Sequence, residues 1–284
     1  MQVAKKLIHD RLTPFYPKQE IESFRRLIFE KITGLSGLQV HLNQNEKISA
    51  ANLAQITEII NRLIKFEPIQ YILGETEFYG LVLKVNPAVL IPRPETEELV
   101  GWIINDYNQL SPAILDIGTG SGCIPVALLK NITGASADGW DISEEALILA
   151  NENALINRVK IDFHYADILK PVYPPQNRKY DIIVSNPPYV MISEQILMLK
   201  NVIDYEPHIA LFVPDSNPLV FYRAIADLAL ILLNTNGNIY FEINERYAKE
   251  VAELLILKGF TNIEVRKDIN GKERMLRGSR EERE

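Results

Sequence analysis

Asn186-Pro187-Pro188-Tyr189 is the stretch of this 284-residue chain whose residue types most directly suggest chemistry. Asn186 offers a carbonyl oxygen and an NH2. The two prolines lack N–H groups and leave backbone carbonyls without competing donors, and Tyr189 supplies a flat apolar face. Such a set suits a planar group that bears an NH2. Its hydrogens can go to the Asn186 oxygen and the Pro187 carbonyl while its plane lies against Tyr189. Just before the motif, Ile182-Ile183-Val184 reads as a buried strand of a covered parallel sheet. Asn186 then falls past the carboxyl end of that strand, at the edge where open α/β sheets bind ligands. The same tetrapeptide could also be a rigid turn and nothing more, so its surroundings decide.

Those surroundings carry three further signals. Ala113-Ile114-Leu115-Asp116-Ile117 reads as a strand, and Gly118-Thr119-Gly120-Ser121-Gly122 follows it and opens a helix through Leu129. Glycines there let a ligand approach the backbone at a helix N-terminus. The spacing is not the dinucleotide GxGxxG pattern, and a P-loop lysine is missing. Asp141 ends the next strand about 20 residues beyond the glycines, where an acid can accept both ribose hydroxyls of an adenosine; Ser143 then caps a helix starting at Glu144. A third strand near Lys160–Tyr165 leads to Asp167, able to accept from an adenine amino group, and Ile168, able to cover the ring. Together these signals imply an adenosine-bearing cofactor beside a clamp for an NH2 group, and methyl transfer from S-adenosylmethionine to nitrogen as the chemistry. Arg93, between Pro92 and Pro94, is presented stiffly enough to touch a ligand, and residues 204–212 read as a loop over the site.

The elements that must position these groups divide the chain into residues 1–67, a small helical bundle; 68–92, a β-hairpin linker; and 93–284, an α/β domain with a doubly wound parallel sheet. In the first part Pro14 and Pro17 separate two helices, Gly34 and Gly37 end the second, and Ser49 caps a third. In the second, Tyr71–Gly74 and Phe78–Val85 look like strand segments. Pro94 and the acids after it suit a helix start. Helices over Leu219–Leu233 and Ala248–Leu257, with strands over Asn238–Ile243, Asn262–Val265 and Glu273–Leu276, complete the sheet. Arg280–Glu284 is a charged tail. Net charge is -7, with 10 Lys+Arg against 6 Asp+Glu in residues 1–65 and 20 against 31 in the rest. The acidic main body argues against a large phosphate-tracking groove. One cysteine, Cys123, excludes an internal disulfide and a cysteine zinc cluster and fits a cytoplasmic protein. No secretory or membrane-spanning apolar run is present in the sequence.

Four segments also carry a resemblance: Pro68–Gly74 with Phe78-Tyr79-Gly80, Leu90–Glu97, Asp116–Gly122 and Ser185–Tyr189. They resemble the PrmC/HemK protein-glutamine N5-methyltransferases, which modify the glutamine of the Gly-Gly-Gln motif in peptide chain release factors, and the likeness covers nearly the whole chain. Asn-Pro-Pro-Tyr also occurs in DNA adenine and RNA guanine methyltransferases, so the first two segments discriminate. The resemblance implies a class I S-adenosylmethionine-dependent methyltransferase domain with a seven-stranded, mostly parallel sheet whose last strand is antiparallel. It implies Gly118, Thr119, Gly120, Ser121, Gly122, Asp141, Asp167, Ile168 and Asn186 as cofactor contacts, and Asn186, Pro187, Pro188 and Tyr189 as the substrate clamp, with Asn186 and Pro187 catalytic. Release factors are the expected partners, with no membrane and no stable nucleic-acid binding, and the helical part is expected to recognise the protein substrate. One departure is Asn244, which follows Glu242-Ile243 where the family usually has glycine. Two other readings stay open: an N-methyltransferase acting on adenine or guanine in DNA or RNA, and a non-catalytic cofactor-binding module.

Overall fold

The computed structural model describes residues 1–43, 46–107, 110–171 and 178–281. The end of the charged tail, Glu282-Arg283-Glu284, lies outside the described residues. The chain forms two compact units, one of Met1–Gly74 with Leu199–Tyr205 and one of Glu75–Met198 with Glu206–Glu284.

The first unit is helical: α1 (Gln2–Leu12), α2 (Lys18–Thr33), α3 (Gly37–Leu42), α4 (Ala50–Leu63) and α5 (Ile69–Leu73). Its core is one stripe from each of the longer helices, among them Ile8 and Leu12, Phe24 and Ile28, and Ile56 and Ile60. Ser49 caps α4 by accepting from the Asn52 N–H, and Gly34 ends α2 in the left-handed conformation, as the sequence suggests. Two points differ. Tyr71–Gly74, expected as a strand segment, instead forms the end of the helix α5 and its glycine cap. Gly37 opens the short helix α3 instead of ending α2.

The second unit begins with the hairpin β1 (Glu75–Phe78) and β2 (Leu81–Lys84), turned by Tyr79 and Gly80, both at positive φ. There follow α6 (Pro94–Tyr107), β3 (Ala113–Ile117), α7 (Cys123–Asn131), β4 (Ser136–Asp141), α8 (Glu144–Ile156), β5 (Ile161–Tyr165), β6 (Tyr180–Ser185) and the short β7 (Val190–Met191). After one helical turn in the first unit, α9 (Lys200–Ile203), come β8 (Phe212–Val213), α10 (Val220–Leu232), β9 (Leu233–Glu242), α11 (Ala248–Leu257), β10 (Thr261–Lys267) and β11 (Glu273–Ser279). The seven-stranded sheet runs β10-β11-β9-β6-β3-β4-β5. β9, β6, β3, β4 and β5 are mutually parallel, and β11 is antiparallel to both its neighbours.

Both faces of this sheet are covered, which explains the continuous apolar runs. On β6, Ile183 packs with Tyr222, Ile225 and Ala229 of α10, while Ile182 and Val184 pack into the opposite layer with Leu99 and Ile103 of α6. Chain order reverses at β3, with β4 on one side and β6 on the other. That makes the carboxyl edge between β3 and β6 the topological switch point, where such sheets hold their ligands. No helix among the described residues is long and apolar enough to cross a membrane.

Candidate functional site

Strand register alone brings the suspected residues to one edge. Asp116 of β3 pairs with Val184 of β6 and Gly139 of β4, so Gly118, Asn186 and Asp141 each lie two residues past one row. Asp141 pairs with Tyr165, which puts Asp167 two residues further on. On the other side Ser185 pairs with Phe241, so Glu242 of β9 stands level with Asn186.

The turn after β3 is held by backbone bonds: the Gly118 and Thr119 N–H groups donate to the Trp140 carbonyl (2.8 and 3.0 Å). Gly118, Gly120 and Gly122 all take positive φ, which an L side chain rarely adopts. A Cβ added at Gly118 or Gly120 would meet no atom within 4 Å, whereas at Gly122 it would press on Ala150 at 3.2 Å. The first two glycines therefore keep space open beside the backbone, and the third allows α7 and α8 to pack closely. Asp141 fixes the turn from the neighbouring strand. Its Oδ2 accepts from the Gly120 N–H (2.8 Å) and its Oδ1 from the Ser143 N–H (2.9 Å), which ties the glycine turn to the start of α8. Burial pushes the Asp141 carboxyl above its usual range, and these backbone donors pull it back.

A cavity of about 500 Å³ opens at this edge, a size typical of small-molecule and cofactor sites. It is lined by Gly118, Thr119, Gly120, Ser121, Asp141, Asp167, Ile168, Asn186, Pro187 and Pro188. Gly122 and Tyr189, expected at the site, are not among its lining residues. Asp167 is engaged within its own loop, its Oδ1 accepting from the Leu169 N–H (3.1 Å) and its Oδ2 facing Lys170 Nζ (2.9 Å). The Lys170 ammonium and the Leu169 N–H hold its carboxyl below the usual range. Ile142 and Leu169 add apolar wall that the sequence does not single out; Ile142 directly follows Asp141, and Leu169 lies two residues past Asp167.

Arg93 lines the cavity and pairs with Glu206 (2.6 Å), whose side chain is 1% exposed. The other Glu206 oxygen accepts from the Ile91 N–H (3.2 Å). This one buried carboxylate fastens the Pro-Arg-Pro segment to the loop of residues 206–212, in which Ile209 and Ala210 also face the cavity. His208 stacks edge-on against Phe212 (5.2 Å), a packing contact.

The motif after β6 rests on groups the sequence did not reveal. Asn186 Nδ2 donates to Thr96 Oγ1 (3.3 Å), Thr96 donates to Glu242 Oε2 (2.6 Å), and the Tyr189 hydroxyl donates to Glu242 Oε1 (3.1 Å). Burial pushes the Glu242 carboxyl up, with the two hydroxyls and the Arg274 charge pulling it down. Asn244 has φ -73 and ψ 127, an extended conformation open to any residue. Its Cβ is thus no obstacle. Its Nδ2 donates to the Tyr189 carbonyl (3.2 Å) and its Oδ1 accepts from the Arg246 N–H (3.1 Å).

Below the turn, Asp116 is fully buried and neither carboxylate oxygen has a partner in hydrogen-bonding geometry among the described residues. Burial pushes its carboxyl up to about 7, against a downward pull from the nearby Thr119 hydroxyl and with a further upward push from Asp141. Ionisation is thus disfavoured in the folded chain, and stability present below pH 3.8 is lost as pH rises through about 7. Asp116→Asn is expected to raise the melting temperature at pH 8 by a few degrees and to flatten its fall between about pH 4 and 7. A wild-type minus variant difference in melting temperature that is constant over that range would contradict this account.

A sheet of this order, with its cavity at the switch point and glycines that leave room for a ligand, is that of the class I S-adenosylmethionine-dependent methyltransferases. Residues 101–204 match the methyltransferase small domain and residues 11–74 the PrmC N-terminal domain. The chain is 46% identical over 270 residues to a release factor glutamine methyltransferase of Flavobacterium psychrophilum, covering 94% of each. It is 44% identical over 273 residues to that of Bacteroides thetaiotaomicron, covering 96% of this chain and 98% of the relative. It belongs to the release factor glutamine methyltransferase family. Solved structures share the fold: a methyltransferase from Pyrococcus furiosus (TM-score 0.54, 15% identity, covering 82% of this chain and 100% of that one). A ribosomal protein L11 methylase from Lactobacillus delbrueckii subsp. bulgaricus is a second (TM-score 0.50, 21% identity, covering 70% and 86%).

Proposed function

We propose that this chain transfers a methyl group from S-adenosylmethionine to the side-chain amide nitrogen of a glutamine, the one in the Gly-Gly-Gln motif of peptide chain release factors. The observation that carries the reading is the position of Asn186-Pro187-Pro188 in the wall of the same cavity as the glycine turn. An amide acceptor and the methyl donor's cradle thus share one cavity. When bound, S-adenosylmethionine supplies an electrophilic methyl group on a sulfonium.

The chain's own residues supply position and charge. Gly118 and Gly120 leave room for the cofactor beside the backbone, Asp141 accepts from its ribose hydroxyls, and Ile168 covers its adenine. Asp167 can take the adenine amino group on the lone pairs that Leu169 and Lys170 leave free. Thr119 and Ser121 line the turn. An amide nitrogen is a poor nucleophile because its lone pair is delocalised into the carbonyl. The Asn186 oxygen and the Pro187 carbonyl accept its two hydrogens, hold its plane, and stabilise the positive charge that develops on nitrogen as the bond forms. A strong base is unnecessary, since the methylated amide is acidic and loses its proton late. Tyr189, anchored through its hydroxyl on Glu242, serves the clamp from behind the cavity lining. The helical unit provides a recognition surface for the protein substrate, because a Gly-Gly-Gln loop offers too little side chain to be selected by itself. Such a substrate makes cytoplasm the proposed location, and the acidic second unit fits a protein partner better than a nucleic acid.

The test is label uptake from methyl-labelled S-adenosylmethionine offered separately with an intact release factor, its Gln-to-Ala variant at Gly-Gly-Gln, a Gly-Gly-Gln peptide, duplex DNA and ribosomal RNA. Uptake is expected in the intact factor, not in its variant, and more weakly in the peptide through a higher KM. Label in nucleic acid alone would overturn the reading, and equal kcat/KM for peptide and factor would leave the helical unit without a recognition role.

A further inference from the structure

The amide of Asn186 has two orientations of similar intrinsic energy, because its terminal torsion is broad and roughly two-fold. Only one of them turns the carbonyl oxygen toward an incoming NH2. The other would set N–H groups against N–H groups and form no clamp. Something outside Asn186 must choose.

Three segments distant in sequence meet beside it: the first turn of α6 through Thr96, which also lines the cavity, the end of β9 through Glu242, and the loop after β6. Glu242 is buried at 1% exposure and Thr96 at 2%. Burial works against ionisation of Glu242, and the two hydroxyls that point at it and the Arg274 charge favour it; as the carboxylate it only accepts hydrogen bonds, and a threonine hydroxyl has one proton to give. Glu242 Oε2, 2.6 Å from Thr96 Oγ1, takes that proton. The Thr96 oxygen is left with lone pairs, so the Asn186 atom 3.3 Å away must be the NH2. The reversed amide would place two oxygens together with no proton between them. Arg274 lies near enough to help keep Glu242 charged, and the same carboxylate receives the Tyr189 hydroxyl. Both ends of Asn186-Pro187-Pro188-Tyr189 thus refer to one fixed acceptor.

We propose that Thr96 and Glu242 are positioning residues for the methyl transfer, a one-way hydrogen-bond relay that sets the Asn186 amide with its oxygen toward the substrate nitrogen. The inference rests on Asn186 being the acceptor for the substrate amide. Thr96→Val removes the hydroxyl at nearly constant shape and frees the amide to turn, and Thr96→Ser restores the relay. Thr96→Val is expected to lower kcat about 10- to 100-fold, the scale of a misplaced reacting group. KM for the release factor and cofactor affinity should stay within about threefold, as for an interaction made only in the transition state. Thr96→Ser should recover kcat to within about threefold of the parent. In an Asn186→Ala background, Thr96→Val should cost nothing further, because the relay acts through the missing group.

Wild-type kcat in Thr96→Val, equal losses in the valine and serine variants, or full additivity with Asn186→Ala would each overturn the relay. Full activity of Asn186→Ala alone would instead overturn the reading of Asn186 on which it rests. Should the valine variant fail to fold, Glu242→Gln keeps the shape but removes the fixed direction. A drop of about tenfold in kcat with unchanged cofactor affinity is then expected, and an unchanged kcat there would overturn the proposal.

Discussion

Replacing Asn186 by alanine is expected to lower kcat for release factor methylation by at least about 100-fold, while S-adenosylmethionine still binds within about tenfold of the parent affinity. The asymmetry follows from where the residue stands. Asn186 lies two residues past the Asp116–Val184 row on β6, beside the glycine turn but outside it. Gly118 to Gly122 and the Asp141 bond to the Gly120 N–H depend on β3 and β4 and need nothing from the Asn186 side chain. Its Nδ2 donates to Thr96 alone among the described residues, so truncation leaves Thr96 and Glu242 bonded to each other. In the proposed role, what disappears is the acceptor that orients the substrate amide and answers the charge growing on its nitrogen, a contribution largest in the transition state. Stopped-flow or single-turnover kinetics together with calorimetric cofactor titration separate the two quantities. Turnover within a few fold of the parent would remove Asn186 from the chemistry.

How far such roles can be read from sequence depends on how local their causes are. Ser49, Ser143, Pro94 and Gly34 act within one turn of helix, and each sits where its residue type suggests. The edge residues were legible because strand order and the rule of the switch point carry them to one place without knowledge of packing. Tyr71–Gly74 suggests strand because Tyr71-Ile72 favours an extended chain in a run too short for helical periodicity to show, yet it ends the helix Ile69–Leu73. Pro68 before it and Gly74 after it, left-handed at φ 74, were the signals of a short capped helix. The contacts that brace the site were beyond reach. Thr96 meets Glu242 across 146 residues and Ile91 meets Glu206 across 115. Nothing in a one-dimensional pattern distinguishes a glutamate buried against two distant hydroxyls from a solvated one. Asn244, the departure from the family's usual glycine, is accommodated because its backbone is extended, and its amide donates to the Tyr189 carbonyl.

Asp141→Asn is expected to weaken S-adenosylmethionine binding about 10- to 100-fold, the equivalent of about 1 to 3 kcal/mol for hydrogen bonds to a charged acceptor. The structure makes this more than the loss of a charge facing a ribose. Both oxygens of Asp141 already accept backbone bonds, one from Gly120 and one from Ser143. An asparagine presents one oxygen and one NH2, so in either orientation a donor is set against a backbone N–H. Turned one way it releases the glycine turn; turned the other it releases the entry of α8. The variant should therefore unfold at a lower temperature as well as bind less tightly, while kcat at saturating cofactor changes less than the affinity does. A pH series adds a sign. Burial holds the Asp141 carboxyl above the usual carboxylate range, so on acidification parent affinity should begin to fall before an exposed aspartate would protonate. That fall should be absent in the asparagine variant, whose side chain does not titrate. Calorimetric affinities equal for parent and variant at neutral pH would move the ribose contact to another residue and leave Asp141 as a brace of the turn.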